Sequence, residues 1–546
     1  MVLPGSSVAQ FTSSTTFATL PADWHRCEEQ IVTDPVDPTR QHPVRVTSPA
    51  ARDADGEDAR LAEFGYEQKL DRSVGKIASF AIGFSTISAT TAVFTGFGAG
   101  YSNAGAPFIW TLFLAVPVFL LWTLIAADVA AKIPLAGYAY QWTSRLNGSS
   151  FGWFTGVSAL IGWIGGMTSL GYIFAGYLGS VFGWQLTQTA QILIAVAVVA
   201  VCALINAYRV SLATLINNIG VGIELVITIG VTAVVAGVAF LVPGNAQPFS
   251  SLFEGKSPDE ATPYVLAFLA ASLGPFFGLV GVEAVADIAE ETKSARRVIP
   301  RTMFIAFAAS CVIEFAMYLV YTLAIKDSAA VAASSAPIEE IIGQQIGPVF
   351  SRIVVAFALT NILVCLLSNM LVGTRLLYSM SRDNMMPFSA ALRHVAPHRK
   401  SPSVAVVALG SISILLLLSA LVNERAFTYF LGMATLAFFT SYVLQTVGLL
   451  IAAFRGAIPA PEAGTFNLGR ARIPLLLVSL PIFLTVEAAL LFLPAFAGNG
   501  AVFAGIIALA FLWWLVVLRK RLRTGFAGSD YAKVHTQAIP TGELGR

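Results

Sequence analysis

The sequence predicts an all-α integral membrane protein of twelve transmembrane helices, and three observations predict it. The 546 residues are 56% hydrophobic and only 12% charged, with a mean hydropathy of +0.74. Soluble domains run at about 45–50% apolar and about 25% charged. Twelve apolar runs are long enough to cross about 30 Å of hydrocarbon. The loops between them carry their Lys and Arg unevenly, mostly on one side.

Residues 1–60 are rich in Pro, Ser, Thr, Asp and Arg without a sustained period, and are expected to be a disordered cytoplasmic tail. Residues 61–76 (LAEFGYEQKLDRSVGK) differ, because Leu61, Phe64, Tyr66 and Leu70 would share one face of a short interfacial helix. The first long apolar run begins near Ile77, so no amino-terminal signal peptide is expected. A twelve-helix domain follows over 77–518. Its spans are expected at 77–101, 107–131, 151–181, 188–207, 212–241, 262–288, 302–325, 351–374, 402–421, 427–453, 473–496 and 501–518. Residues 519–546 form a second cytoplasmic tail. The loops after even-numbered spans hold fifteen Lys or Arg, from Lys132 to Arg472, against Lys256, Lys326, Arg352 and Arg425 on the other side. That asymmetry puts both termini in the cytoplasm of a multi-pass protein of the plasma membrane.

The sixth run is organised around an interruption. Residues 262–301 begin as an apolar span, meet Gly274-Pro275, Gly278 and Gly281, resume with Glu283 and Asp287, and end net-basic. Proline donates no backbone hydrogen bond and glycine costs roughly 1 kcal/mol in a helix interior, so this span should open locally. Freed backbone groups survive at membrane depth only where protein buries them or a cavity hydrates them, which is how secondary transporters build binding sites. The alternative is a Gly/Pro kink used for packing alone. The first run (SFAIGFSTISATTAVFTGFGAG) is likewise crowded with small and hydroxyl residues. The two runs lie five spans apart, as in a five-plus-five inverted repeat with broken helices 1 and 6 and two extra C-terminal helices.

Few residues could carry chemistry. In the first run Ser85, Thr86, Ser88, Thr90 and Thr91 could cap freed backbone and help hold a carboxylate, or could simply bond back to the preceding turn. Ionisable residues within spans are Asp128, Glu224, Glu283, Asp287, Glu314 and Glu487. Glu224 stands in the middle of the fifth run with Asn217 and Asn218 two turns before it, and is the candidate to load and release a proton. The competing role is a carboxylic acid that stays protonated and bonds a neighbouring helix. Glu283 could meet a substrate ammonium or stabilise the broken backbone. No histidine lies in a span, which excludes a histidine proton relay, and the four cysteines are too scattered for a disulfide framework or a zinc site. No metal, cofactor, nucleotide loop or nucleophile–base set is expected, so an enzyme is excluded. The net charge of +2, spread among loops, gives no reason to expect a nucleic-acid partner.

Four stretches carry a family resemblance: GYEQKLDRS (65–73), KIPLAGYAYQW (132–142), GLVGVEAVADIAEETKSARRVIPR (278–301) and GTRLLYSMSRDNMMPFSAALRHV (373–395), with LGRARIPLLLVSL (468–480) a weaker fifth. In these the chain resembles the amino acid–polyamine–organocation (APC) superfamily, and within it the amino acid/choline transporter family. The resemblance implies spans one and six unwound around a central site for a zwitterionic or amino-bearing substrate, carboxylate toward span one and amine toward span six. It puts Thr90, Thr91 and Ala92 at the first break, where family members often carry Gly-Ser/Thr-Gly, and Phe277, Gly278, Leu279 and Gly281 at the second. Glu224 stands where some relatives have a basic residue.

The expectation is a secondary active permease for amino acids or related amines, working by alternating access and coupled to protons. Its substrate-binding residues would be Ser88, Thr90, Thr91, Ala92, Phe277, Gly278, Leu279, Gly281 and Glu283, with Glu224 for the proton. A choline or polyamine carrier would instead need an aromatic cage, for which Phe277, Tyr101, Trp163 and Tyr172 are candidates. A sensor that keeps the fold without turnover is the third reading.

Overall fold

The computed structural model describes residues 57–531, except 209, 335, 397–399, 423–425 and 494–495. Among the described residues, twelve helices are long and apolar enough to span a bilayer. They are Lys76–Ala104, Ala106–Ala130, Ser149–Phe182, Gln188–Tyr208, Leu212–Leu241, Tyr264–Asp287, Ala295–Leu323, Pro348–Arg382, Ser403–Val422, Tyr429–Phe454, Gly469–Phe492 and Asn499–Arg523. No strand forms among the described residues, only an isolated bridge between Val74 and Thr292.

The third span is the hub. Rich in Gly, Ser and Ala, it lets the eighth and tenth spans pack closely along it and is buried over most of its length. Both halves of the first span pack against the sixth and seventh. The fourth, fifth, ninth, eleventh and twelfth spans turn most of their surface outward, where exposed Leu, Ile, Val and Phe suit hydrocarbon.

The helix ends show where charge misleads a sequence reading. The eighth span was expected to stop at 374, before Arg375, yet it runs from Pro348 to Arg382. Arg375 is fully buried against Glu291, so its charge is neutralised inside the protein and does not end the helix. The stretch after span two, read as a loop, contains a helix, Tyr138–Asn147, whose first seven residues are all buried. Tyr138, Tyr140, Gln141 and Trp142 are among them, large or polar side chains that the surrounding spans enclose. Two further short helices, Ser328–Ala333 and Pro337–Ile346, fill the connection between spans seven and eight.

The amino-terminal segment also departs from expectation. A helix covers 57–63, so the last residues assigned to the disordered tail are ordered, and residues 1–56 lie outside the described part. From 64 to 75 the chain is irregular and not an interfacial helix. Leu61, Tyr66 and Leu70 are nonetheless buried, because the segment is held by protein: Val74 and the 291–293 backbone exchange hydrogen bonds of 2.9 Å in both directions. At the other end the helix of span twelve continues to Arg523, and 532–546 lie outside the described residues.

Candidate functional site

The first span breaks at one residue. The helix Lys76–Ile87 ends, Ser88 takes φ 42° and ψ 89°, and the helix restarts over Ala89–Ala104. Left-handed geometry is unfavourable for a residue with a side chain, and here that side chain compensates. The Ser88 hydroxyl accepts the Thr91 amide at 3.3 Å, capping the new helix, and lies 2.8 Å from both Thr91 Oγ1 and Glu224 Oε1. The break therefore falls two residues before Thr90. Thr90, Thr91 and Ala92 form the first turn of the second half, so their amides supply the positive end of a sixteen-residue helix.

The fifth span stitches this end in place. Glu224 is 1% exposed, and one turn on Thr228 Oγ1 meets Thr90 Oγ1 at 2.6 Å. On the other side of the break, Ser85 Oγ lies 2.7 Å from Ser368 Oγ, which donates to Asn217 Oδ1 at 2.7 Å. A run of hydroxyls, one amide and one carboxyl thus joins spans one, five and eight.

The sixth span breaks later than the Gly274-Pro275 pair suggests. Ser272 makes a turn, so Pro275 falls in the first turn of Leu273–Leu279, where its missing N–H is no loss. The helix then opens: Val280 is extended, Gly281 has φ +96°, and a short turn of helix resumes at Ala284–Asp287. Gly281 is needed twice over, for its positive φ and because a Cβ would stand 3.0 Å from Thr86 and 3.3 Å from Trp163. Gly274 has a packing role. A Cβ on either Gly274 or Gly96 would lie 2.7 Å from the other's Cα, so the halves of spans one and six cross backbone to backbone.

Between the two breaks is a cavity of about 20 Å³ lined by Thr91, Ala92, Phe277, Gly278, Trp163, Phe438, Cys365 and Asn369, among others. That is room for about one water and too little for an amino acid, so the arrangement is a closed one. Trp163 and Phe438 meet edge to face at 4.8 Å, and the Trp163 indole N–H is buried without a hydrogen-bond partner among the described residues.

The structure brings only part of the expected set together. Thr91, Ala92, Phe277 and Gly278 line the cavity, with Ser88 and Gly281 at the breaks. Thr90 turns to span five, and Leu279 is fully buried outside the lining. Glu283 is elsewhere: Oε1 accepts the hydroxyls of Tyr138 and Tyr442, each at 2.9 Å, and Oε2 accepts the Trp122 indole at 3.0 Å. It anchors the resumed backbone to three aromatic side chains. Of the aromatic-cage candidates, Phe277 and Trp163 reach the cavity; Tyr101 and Tyr172 are not in its lining. Sequence reasoning missed Asn369, Cys365 and Phe438. Asn369 could have been found as one of two amides, with Asn361, within an apolar span.

Beyond the second break, a dense layer of ion pairs and hydrogen bonds joins residues 64–75, the helix Tyr138–Asn147 and the end of span eight. Arg375 holds Glu291 through two bonds of 2.6 and 3.1 Å, and Arg382 holds Glu290 through two of 2.9 Å. Asp383 accepts Tyr66 at 2.8 Å and Tyr140 at 2.8 Å, while Arg382 lies 3.5 Å over the Tyr66 ring. Burial raises the Asp383 carboxyl above its ordinary range, against the opposing pull of Arg382 and the two phenols. A second cluster joins Asp128, Lys132 and Arg472, with Lys132 Nζ 2.5 Å and Arg472 Nε 2.7 Å from the carboxylate. The stretches 65–73, 132–142, 278–301 and 373–395 all contribute to the first cluster, and 468–480 to the second.

A family model described as amino acid permease matches residues 75–518. The chain belongs to the amino acid permease family. The match runs from before the first span into the twelfth, so the chain is a membrane transporter and not an enzyme. Among similar proteins, the amino-acid permease BAT1 homolog of Oryza sativa is 26% identical over 452 residues, covering 76% of this chain and 83% of that one. Amino-acid permease BAT1 of Arabidopsis thaliana is 25% identical, covering 76% and 84%. The branched-chain amino acid permease BcaP of Lactococcus lactis is 26% identical over 348 residues, covering 60% and 73%. Among solved structures, a Na+-coupled sialic acid symporter in a substrate-bound outward-open state aligns with TM-score 0.48 and 12% identity, over 82% of this permease and 98% of that chain.

Proposed function

We propose that this permease moves amino acids or related amines across the plasma membrane by alternating access around the two broken spans of an inverted repeat, coupled to protons, with both termini in the cytoplasm. The observation that carries the reading is that Glu224, from span five, meets Ser88 at 2.8 Å where the second half of span one begins, and Thr91 of that half lines the cavity. That helix end favours an anion. A substrate carboxylate directed at Ser88, Thr90, Thr91 and Ala92 and an ionised Glu224 would compete for the same positive end. A proton on Glu224 removes the like charge, so proton and substrate bind together. The carbonyls that close Leu273–Leu279, around Phe277, Gly278 and Leu279, with the Gly281 turn behind them, supply a negative end for the amine. Glu283 supports that end through the backbone.

The test is uptake into proteoliposomes against labelled amino acids, γ-aminobutyrate, polyamines and choline, with and without an inward proton gradient. Wild type should accumulate an amino acid or amine. Glu224→Gln, which keeps the shape of the protonated acid, should still bind and exchange it but lose gradient-driven accumulation. Gradient-driven uptake unchanged in the variant would discard Glu224 as the coupling group. A second reading, an organic-cation carrier, is favoured by Trp163, Phe277 and Phe438 around the cavity, and accumulation of choline or a polyamine alone would establish it. Binding without accumulation would make the chain a sensor.

A further inference from the structure

Where the first and seventh spans begin, an open groove of about 450 Å³ runs between them, away from the substrate cavity. Its rim is basic: Lys76 is the first residue of span one, and Arg297 and Arg301 lie one turn apart near the start of span seven. Its floor is apolar. Ile77 is 80% exposed, Ile305 is 57% exposed one turn beyond Arg301, and Phe80 lies one turn beyond Lys76. Each wall therefore carries charge at its first turns and hydrocarbon deeper in, the order in which a bilayer presents headgroup and acyl chain.

Among the described residues Lys76, Arg297 and Arg301 form no ion pair, and the Arg297 guanidinium meets only the Ala463 carbonyl at 3.5 Å. Arg296, adjacent in sequence, pairs with Glu462 at 3.2 Å, so acids are available nearby and do not serve this groove. Both helices also start here without a side-chain cap, adding two sets of outward N–H groups. Three like charges over an exposed apolar floor fit an amphiphile with an anionic head.

We propose that this groove binds an anionic phospholipid, its phosphate on Lys76, Arg297 and Arg301 and an acyl chain along Ile77, Phe80 and Ile305. A soluble phosphate would engage the rim but leave the floor bare. The occupant would bridge the first half of span one to span seven, the element that follows the broken sixth span. The proposal is independent of what the cavity carries.

The test is native mass spectrometry of the delipidated full-length protein titrated with phosphatidylglycerol or phosphatidylcholine. Wild type should retain phosphatidylglycerol roughly 10-fold or more in preference. Arg297→Gln with Arg301→Gln should reduce that preference to near parity, Arg297→Lys with Arg301→Lys should keep it, and Arg455→Gln with Lys326→Gln should leave it unchanged. The Lys pair also controls for folding. Equal retention by wild type and the Gln pair would overturn the proposal, as would full displacement by excess inorganic phosphate. A dimer that the Gln pair abolishes irrespective of lipid would assign the face to a second copy instead.

Discussion

Arginine 375 and Glu291 make a pair that can be dismantled in two ways with opposite consequences. Their side chains are 0% and 2% exposed and joined by bonds of 2.6 and 3.1 Å. Replacing Arg375 by Met keeps the volume of the stem and removes the guanidinium. Glu291 is then a buried carboxylate with no opposite charge, a change that costs about 3–5 kcal/mol. Replacing both residues, Arg375→Met with Glu291→Leu, removes the charge as well as its partner, and should return stability to within about 1 kcal/mol of wild type. The backbone carbonyl of Glu291 still accepts Val74 N at 2.9 Å, so the bridge to the pre-span segment survives either change. The assay is denaturant unfolding in detergent micelles for wild type, both single variants and the double variant, which gives the coupling energy directly. A single variant costing less than about 1 kcal/mol, or a double variant no better than Arg375→Met, would refute the reasoning.

Three further outcomes are expected. Gly274→Ala places a methyl 2.7 Å from the Gly96 Cα, where only backbone can give way, so it should destabilise by about 1–3 kcal/mol in the same unfolding assay. Glu283→Gln turns an acceptor of three hydrogen bonds into a group that presents a donor to donors, and should cost about 1–3 kcal/mol of stability while changing substrate affinity less than about 2-fold. A large loss of affinity at unchanged stability would return Glu283 to the binding site. Asp383→Asn tests pH dependence. Because the folded-state pKa of Asp383 is raised, the folded protein holds this proton at pH values where the unfolded chain has lost it, so the residue's contribution improves as pH falls through the folded pKa toward the unfolded one. The melting-temperature margin of wild type over the variant should grow on acidification from neutral pH; a margin that shrinks would contradict the shift.

Twelve spans and both interrupted helices were legible because their causes are local. Apolar length announces a span, and the small and hydroxyl residues around Ser88 and the glycines up to Gly281 announce a break. What the sequence concealed is set by partners far away in the chain. Arg375 reads as a loop cation until Glu291 is seen to neutralise it, and Glu283 stays open between substrate and backbone until Trp122, Tyr138 and Tyr442 are seen around it. Pro275 looks like the rupture of span six, yet a turn at Ser272 places it harmlessly and Gly281 carries the rupture. The cavity drew Trp163 and Asn369 from spans three and eight, and nothing local to either helix says that these two side chains meet at one place.

Ser88 has a consequence for timing. It is the sole residue between the two helices of span one, it sits in a backbone basin that costs roughly 1–3 kcal/mol for a residue with a side chain, and its hydroxyl reaches Glu224. The pivot and the reader of its neighbour's charge are therefore one residue. If Glu224 exchanges a proton, the hydroxyl changes from donor to acceptor within the same contact, and the torsional stiffness of the pivot changes in that step. The first effect of a proton arriving at Glu224 would then fall on the break itself, through one hydroxyl contact and without an intermediary residue.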